Sequence, residues 1–225
     1  MPSREWKLKN REQEWLVGDT VNASIGQGYV LSSPLQLAVM AARLASGRNV
    51  KPMLTKSING QNVHDDKEFE VLKVSKANLN IIRKSLFKAS NDRRGTAYGS
   101  RIINNKYRMA GKTGTSQVRN ITDVERENGV TKNEDLPWKR RDHALFINFA
   151  PYDDPEIAVS VVVEHGGAGS KSAAPIARDI TLQALFKGTP PLGVYPAKDR
   201  TAIFEQQKKL REILQELEMN RKNKA

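Results

Sequence analysis

The sequence predicts an α+β domain in which an antiparallel sheet is flanked by helices. Three observations predict it. Two strongly apolar runs, 143–150 and 156–164, are separated only by the turn Tyr152-Asp153-Asp154-Pro155, so they pair antiparallel. Segments with helix start and stop signals occupy 33–46, 75–90 and 173–187. The order along the chain is helix, strands, helix, strand, hairpin, helix, which is not the regular alternation of a parallel sheet.

Residues 1–20 are charged, carry Trp6 and Trp15, and show no clear period. They read as a loop, or as the edge of something larger, because two tryptophans normally need a core to cover them. Ile25-Gly26-Gln27-Gly28 is a glycine-flanked turn leading into the first helix. In that helix Ser33 is the N-cap, Pro34 suits the first turn, and Gly47 ends it. Leu35, Ala38, Ala41, Ala42 and Ala45 form a narrow apolar stripe, so close packing against a neighbour is expected. Residues 50–74 alternate weakly around Asn59-Gly60, which reads as a hairpin of two short strands. In the helix 75–90 Ser75 is the cap, and Leu79, Ile82 and Leu86 face inward. A strand over 107–118 holds Gly111-Lys112-Thr113-Gly114-Thr115. The helix 173–187 has Pro175 in its first turn and Gly188 past its end. From Asp199 onward, Ile203, Leu210 and Leu217 recur every seven residues among charged side chains. That is a thin apolar seam on a helix, open to two readings: a solvated extension or a coiled-coil partner surface. The domain therefore spans 1–190, and 191–225 is a linker and an amphipathic charged helical tail.

Composition narrows the function. With 225 residues, 38% hydrophobic and 28% charged, the chain is globular. Its longest apolar runs are too short to span a bilayer, and polar residues follow Met1 at once, so any export signal or anchor is expected outside these residues. Cysteine is absent, which excludes thiol catalysis and disulfides; His64, His143 and His165 have no metal-ligand spacing, and no cofactor is implied. The net charge of +12 draws polyanions, but only 6% of residues are aromatic and no nucleic-acid motif is present, so the charge reads as a solvated basic surface.

The chemistry lies at Lys112-Thr113-Gly114-Thr115. A Lys-Thr-Gly triplet alone also occurs on ordinary edge strands; its context sets this one apart. Pro2-Ser3-Arg4-Glu5-Trp6-Lys7, Gly18-Asp19-Thr20, Ile25-Gly26-Gln27-Gly28-Tyr29 and Arg94-Gly95-Thr96-Ala97 precede it. Arg141-Asp142-His143, Phe149-Ala150-Pro151-Tyr152 and Gly166-Gly167-Ala168-Gly169 follow. In that order these stretches resemble class B penicillin-binding transpeptidases of the penicillin-binding protein 2 type, from residue 1 to about residue 187. Met1 on this alignment reads as an internal family position.

The resemblance implies the C-terminal half of a penicillin-binding, serine β-lactamase-like transpeptidase domain. The implied reaction is acyl transfer from the D-Ala-D-Ala end of a peptidoglycan stem peptide through a serine, which β-lactams also acylate. Lys112 would supply a cation and help activate a hydroxyl. Thr113 and Thr115, alternating on a strand, would turn both hydroxyls to a carboxylate. Gly114 would let substrate backbone approach, and the Thr115 N–H would donate to the oxyanion. The same resemblance implies a periplasmic site at the inner membrane, with a glycan polymerase and scaffold proteins of cell elongation as partners, and the N-terminal part of the same protein.

The family's nucleophile motif, Ser-x-x-Lys, and its second motif, Ser-x-Asn, precede the Lys-Thr-Gly strand in that order. Ser85-Leu86-Phe87-Lys88 and Ser57-Ile58-Asn59 match the patterns in the reverse order, one late in a helix and one in a hairpin, and both are set aside. The chain is thus expected to lack the attacking serine. The charged stretch Arg119–Arg141 covers the groove beside the strand or is a solvated loop, with the loop preferred; His165 has no evident partner and reads as structural. Two other functions remain open. A serine β-lactamase or β-lactam sensor shares the strand and is distinguished by rapid deacylation. A non-catalytic basic binding module would bind polyanions in a salt-sensitive way.

Overall fold

The computed structural model describes residues 2–63 and 68–222. The chain runs α1 (Arg4–Arg11), α2 (Val17–Ser24), α3 (Pro34–Ser46), β1 (Ser57–Ile58), β2 (Gln61–Asn62), α4 (Lys76–Asn91), β3 (Ala110–Ser116), α5 (Asp123–Asn128), β4 (His143–Ala150), β5 (Ile157–Val163), α6 (Gly169–Phe186) and α7 (Arg200–Lys222). The α+β expectation holds: β3, β4 and β5 form an antiparallel sheet in that order, with helices on both faces. His64, one of the three histidines read for metal spacing, lies outside the described residues, as does the end of the tail, 223–225.

Alternation along β4 divides the core. Ala144, Phe146 and Ala150 point to α6, joining Val159 of β5 and Ala173, Ala174, Ala177 and Leu182 of the helix. On the same face buried Asn148 donates to Thr181 Oγ1 at 2.8 Å. Phe149 points the other way, where Ala45 of α3, Ala110 of β3 and Leu86 and Phe87 of α4 cover it. The alanine-rich stripe of α3 explains this closeness: Ala41 and Ala45 are buried, and their small side chains let the helix lie near β5. Arg83 of α4 ties this layer together. It donates to the carbonyls of Ala45 and Tyr152, with its guanidinium over the Phe149 and Tyr152 rings.

Caps fix the helix boundaries. Ser33 accepts from Gln36 N and the Gln36 side chain accepts from Ser33 N, while Gly47 closes α3 in the left-handed region at φ 68°. Ser75 likewise caps α4, and Asn59 and Gly60, both left-handed, turn β1 into β2 as a short hairpin.

Four expectations need correction. Residues 2–20 are not simply a loop: they hold α1 and the first half of α2. Ser3 caps α1, and buried Lys7 reaches Glu14 O and Asp19 Oδ2 at 2.9 and 2.7 Å. An ion pair rather than an apolar stripe joins these two helices, so no hydrophobic period announces them. Leu35 and Ile82 are exposed rather than core-facing: α3 buries Ala41 and Ala45 instead, and α4 turns Leu86 and Phe87 to the core. The helix expected from 173 begins at Gly169, which puts Pro175 in its second turn instead of its first. Finally, the stretch 119–141 is not loop throughout: it contains the short helix α5. Leu8, Leu16, Val17, Val21 and Leu31 all remain more than half exposed, so the α1–α2 face carries uncovered apolar surface.

Candidate active site

Among the described residues β3 is an edge strand: β4 pairs along one side of it, and the other side carries no strand. The register sets Lys112 opposite Ile147, Thr113 opposite Phe146, Gly114 opposite Leu145 and Thr115 opposite Ala144. Thr113 and Thr115 therefore share a face, as their spacing requires, and Lys112 lies on the other. The lysine folds back over the open edge, where its Nζ donates to Thr113 O at 2.9 Å. The ammonium thus reaches the strand's rim although alternation sets Lys112 on the face opposite the two threonines. Lys112 and Thr115 are exposed, and Thr113 and Gly114 half-buried.

Backbone direction follows from two contacts. Thr113 O accepts from Lys112, and Thr115 O accepts from Gln27 Nε2 at 2.8 Å. Both carbonyls consequently face away from β4. In an antiparallel strand the N–H and C=O of one residue point the same way, so the Thr113 and Thr115 N–H groups also face the open edge.

Three distant segments hold this edge. The first is the turn after α2, where Gly26 and Gly28 adopt φ of 75° and 67° and so present Gln27 to the end of β3. The second is the turn after α4. Gly95 sits so close to that helix's last carbonyls that a Cβ would lie 2.5 Å from Lys88 O. Its neighbour Thr96 is thereby brought within 3.1 Å of the Thr113 hydroxyl. The third is the start of α6, where Gly169 lies against the backbone of Gly114 and Leu145. A Cβ on Gly114 itself would meet Leu145 Cβ at 3.3 Å. Gln27 and Thr96 lie within stretches that resemble the family, but nothing local in the sequence assigns either a role.

Beyond Ser116 the edge opens into a groove of about 460 Å³, whose walls include Asn22, Gln27, Gln117, Arg119 and Asn120. Arg119 and Glu125 form a two-pronged ion pair at 2.6 and 2.7 Å, both largely shielded from solvent. The guanidinium, with the Thr131 and Thr122 amides, holds the Glu125 carboxyl well below its ordinary range. Arg119 and Asn120 thus line the groove, while most of the stretch from 121 to 140 stays exposed, as the loop reading expects.

His165 has partners after all. It is left-handed at φ 54°, its N–H donates to His143 Nδ1, its Nδ1 lies 2.9 Å from Arg141 O, and Trp138 meets its ring edge-on. Its place is the turn that delivers Gly169 to Gly114, which fits the structural role assigned to it. Ser85 is exposed on α4 and bonds only back to Ile81 O at 2.8 Å, and Ser57 sits in the separate β1–β2 hairpin. Neither is placed on β3. No group of three metal-ligating side chains occurs among the described residues.

The family model described as penicillin binding protein transpeptidase domain matches residues 4–182. A curated relative, peptidoglycan D,D-transpeptidase MrdA of Haemophilus influenzae, is 35% identical over 185 residues, covering 80% of this chain and 28% of the relative. Among solved structures, PBP2 of Pseudomonas aeruginosa in complex with WCK 5153 is 36% identical with a TM-score of 0.66, over 88% of this chain and 40% of that one. PBP2 of Helicobacter pylori, in its complex with MreC, is 30% identical with a TM-score of 0.64, over 83% of this chain and 30% of that one. The chain therefore spans well under half the length of these relatives.

Proposed function

The chain belongs to the penicillin-binding protein transpeptidase domain family, and from that premise we propose that it forms the Lys-Thr-Gly wall of a peptidoglycan D,D-transpeptidase site. The observation that carries this reading is the open edge of β3, with the Lys112 ammonium and outward N–H groups along its rim and two threonines on one face.

Such a rim suits a peptide that ends in a carboxylate. Lys112 supplies the positive charge, and the Thr113 and Thr115 hydroxyls donate to the carboxylate oxygens. Thr96, 3.1 Å from Thr113, orients that hydroxyl. When the scissile D-Ala-D-Ala carbonyl is attacked, the Thr115 N–H faces the developing oxyanion; one such donor is worth about 2.7–4 kcal/mol. The negative charge then collapses to an acyl-serine ester and D-Ala leaves. A β-lactam follows the same course, but its amine stays tethered by the ring. Gln27 holds the Thr115 carbonyl, on the peptide unit next to the donor's, and so steadies this end of the strand's open edge.

The attacking serine belongs, in this proposal, to polypeptide outside these residues, which would also cover the apolar face of α1 and α2. By the same reasoning the site works at the periplasmic face of the inner membrane, with its anchor elsewhere; no helix among the described residues is long and apolar enough to cross a membrane. The Helicobacter pylori relative in complex with MreC supports a scaffold protein as one partner and cell elongation as the setting; a glycan polymerase is the second partner proposed.

The test is a chimera in which residues 4–182 replace the matching part of Pseudomonas aeruginosa PBP2. The chimera should form a fluorescent-penicillin adduct that survives denaturation, and this chain alone should form none. Lys112→Ala in the chimera should slow labelling at least about a hundredfold, the scale of losing a key electrostatic group. Labelling of the isolated chain, or an unslowed Lys112→Ala chimera, would refute the assignment.

A further inference from the structure

α7 is held to the domain only near its start. Ile203 is buried, and Gln207 donates to Pro190 O at 2.9 Å. Beyond that point the helix leaves Leu210, Ile213, Leu214 and Leu217 between 43% and 54% exposed. Their spacing of three, four and seven puts all four on one stripe, the arrangement of a coiled-coil seam. Leu210 and Leu214 also border a shallow groove that runs between α7 and α6 beside Gln183 and Tyr195. A single exposed seam of this kind is apolar surface awaiting a second helix.

Charge selects the occupant. Lys209 and Glu216 are seven residues apart, so they lie on one flank of the seam, next to Ile213. Along the seam the basic side chains Lys208, Lys209 and Arg211 come first, and the acidic Glu212 and Glu216 follow. In a parallel pair with an identical helix this flank would meet the partner's opposite flank, so Lys209 would face Leu214 and find no carboxylate there. Antiparallel pairing lays the basic half of each helix on the acidic half of the other and, about a two-fold axis, apposes Lys209 to Glu216 twice.

We propose that α7 is a homotypic docking helix: two copies of this chain pair antiparallel along Leu210, Ile213, Leu214 and Leu217, with Lys209 of each facing Glu216 of the other. The leucines and isoleucine supply the affinity. The exposed ion pairs set direction, since such pairs are individually weak. This contact is independent of the β3 site and of its assignment.

The experiment is sedimentation velocity on the full chain over a range of concentrations, with Lys209→Glu, Glu216→Lys, the double variant and a mixture of the two single variants. Both positions are exposed, so the fold is preserved; circular dichroism checks this. The unmodified chain should dimerise reversibly. Each single variant turns both ion pairs into like-charge contacts and should weaken self-association at least about tenfold. The double variant should recover it. The equimolar mixture should form a heterodimer, because the wholly acidic flank of one variant then meets the wholly basic flank of the other across the seam. A chain monomeric at every concentration overturns the proposal. So does a dimer indifferent to the swaps, which would place the contact on another face such as α1–α2. Dimers disrupted by the single variants but not restored in the mixture would overturn the antiparallel arrangement.

Discussion

Replacing Gly169 by alanine should destabilise the fold, although alanine is the better helix former. Gly169 opens α6 with an ordinary negative φ, so no backbone strain opposes the change. In a helix interior Gly→Ala gains about 0.5–1 kcal/mol, and less at the first position. Against this, the new Cβ would run into the carbonyl oxygen of Leu145 and lie 2.7 Å from Gly114 O and 3.3 Å from Gly114 N. All three atoms are backbone, and they belong to the paired residues of two adjacent strands, so no side chain can rotate aside. Overpacking of this kind costs about 1–3 kcal/mol. The clash wins, and a net loss of about 1–2 kcal/mol is expected. At roughly 2–4 °C per kcal/mol for a chain of this size, the melting midpoint should fall by about 2–8 °C. Gly18→Ala is the internal control, because it also sits in a first turn and its Cβ would meet nothing within 4 Å. It should leave the midpoint unchanged or raise it. Thermal melts and urea titrations of the two variants side by side measure the difference. If Gly169→Ala melts with or above the parent, the close seating of α6 on β3 is refuted.

Gln27→Ala removes a donor to Thr115 O that is 88 residues away in sequence. In the chimera it should slow penicillin acylation by about five- to thirtyfold, the kinetic equivalent of about 1–2 kcal/mol for a lost hydrogen bond, and leave the melting midpoint within about 3 °C. Equal acylation rates would deny Gln27 its positioning role. The Arg119–Glu125 pair makes a pH prediction. Because the carboxyl is held below its ordinary value in the folded chain, its contribution is complete above the unfolded value near 4.5 and is lost progressively as pH falls below it. Glu125→Gln should therefore reduce the acid sensitivity of the 117–141 segment, read as hydrogen exchange at Thr131, whose N–H donates to Glu125. Identical exchange profiles below pH 4.5 in both proteins would contradict it.

What could be read directly from the sequence was local. Ser33, Pro34 and Gly47 bracket α3 because a cap acts within one turn, and Asn59-Gly60 forms its hairpin for the same reason. β4 and β5 announce themselves because both faces of the central strand are covered, which makes a continuous apolar run. α1 and α2 were hidden because Lys7 and Asp19 join them, and an ion pair between helices leaves no period to detect. The true start of α6 was hidden in a glycine run chosen for close approach and not for helix propensity. On β3, the placement of Lys112, Thr113, Gly114 and Thr115 could be read from spacing, since a strand determines which side chains share a face. Thr96 and Gln27 could not. Their roles arise only when turns after two different helices close on the same strand, and neither turn is near β3 in sequence.

The outward carbonyls of β3 carry a consequence for solubility as well as for chemistry. A bare sheet margin normally offers alternating donors and acceptors, and that alternation is what lets a stray strand zip onto it. Here the chain's own lysine and glutamine occupy the Thr113 and Thr115 oxygens, while the matching amides still look outward. The margin is thereby polarised: it greets a visitor mainly with hydrogens. A ligand rich in oxygens, such as a terminal carboxylate, gains from this asymmetry, whereas another β-strand, needing both kinds of partner in turn, finds half of them already engaged. The two side chains that occupy these oxygens thus discourage unwanted sheet extension.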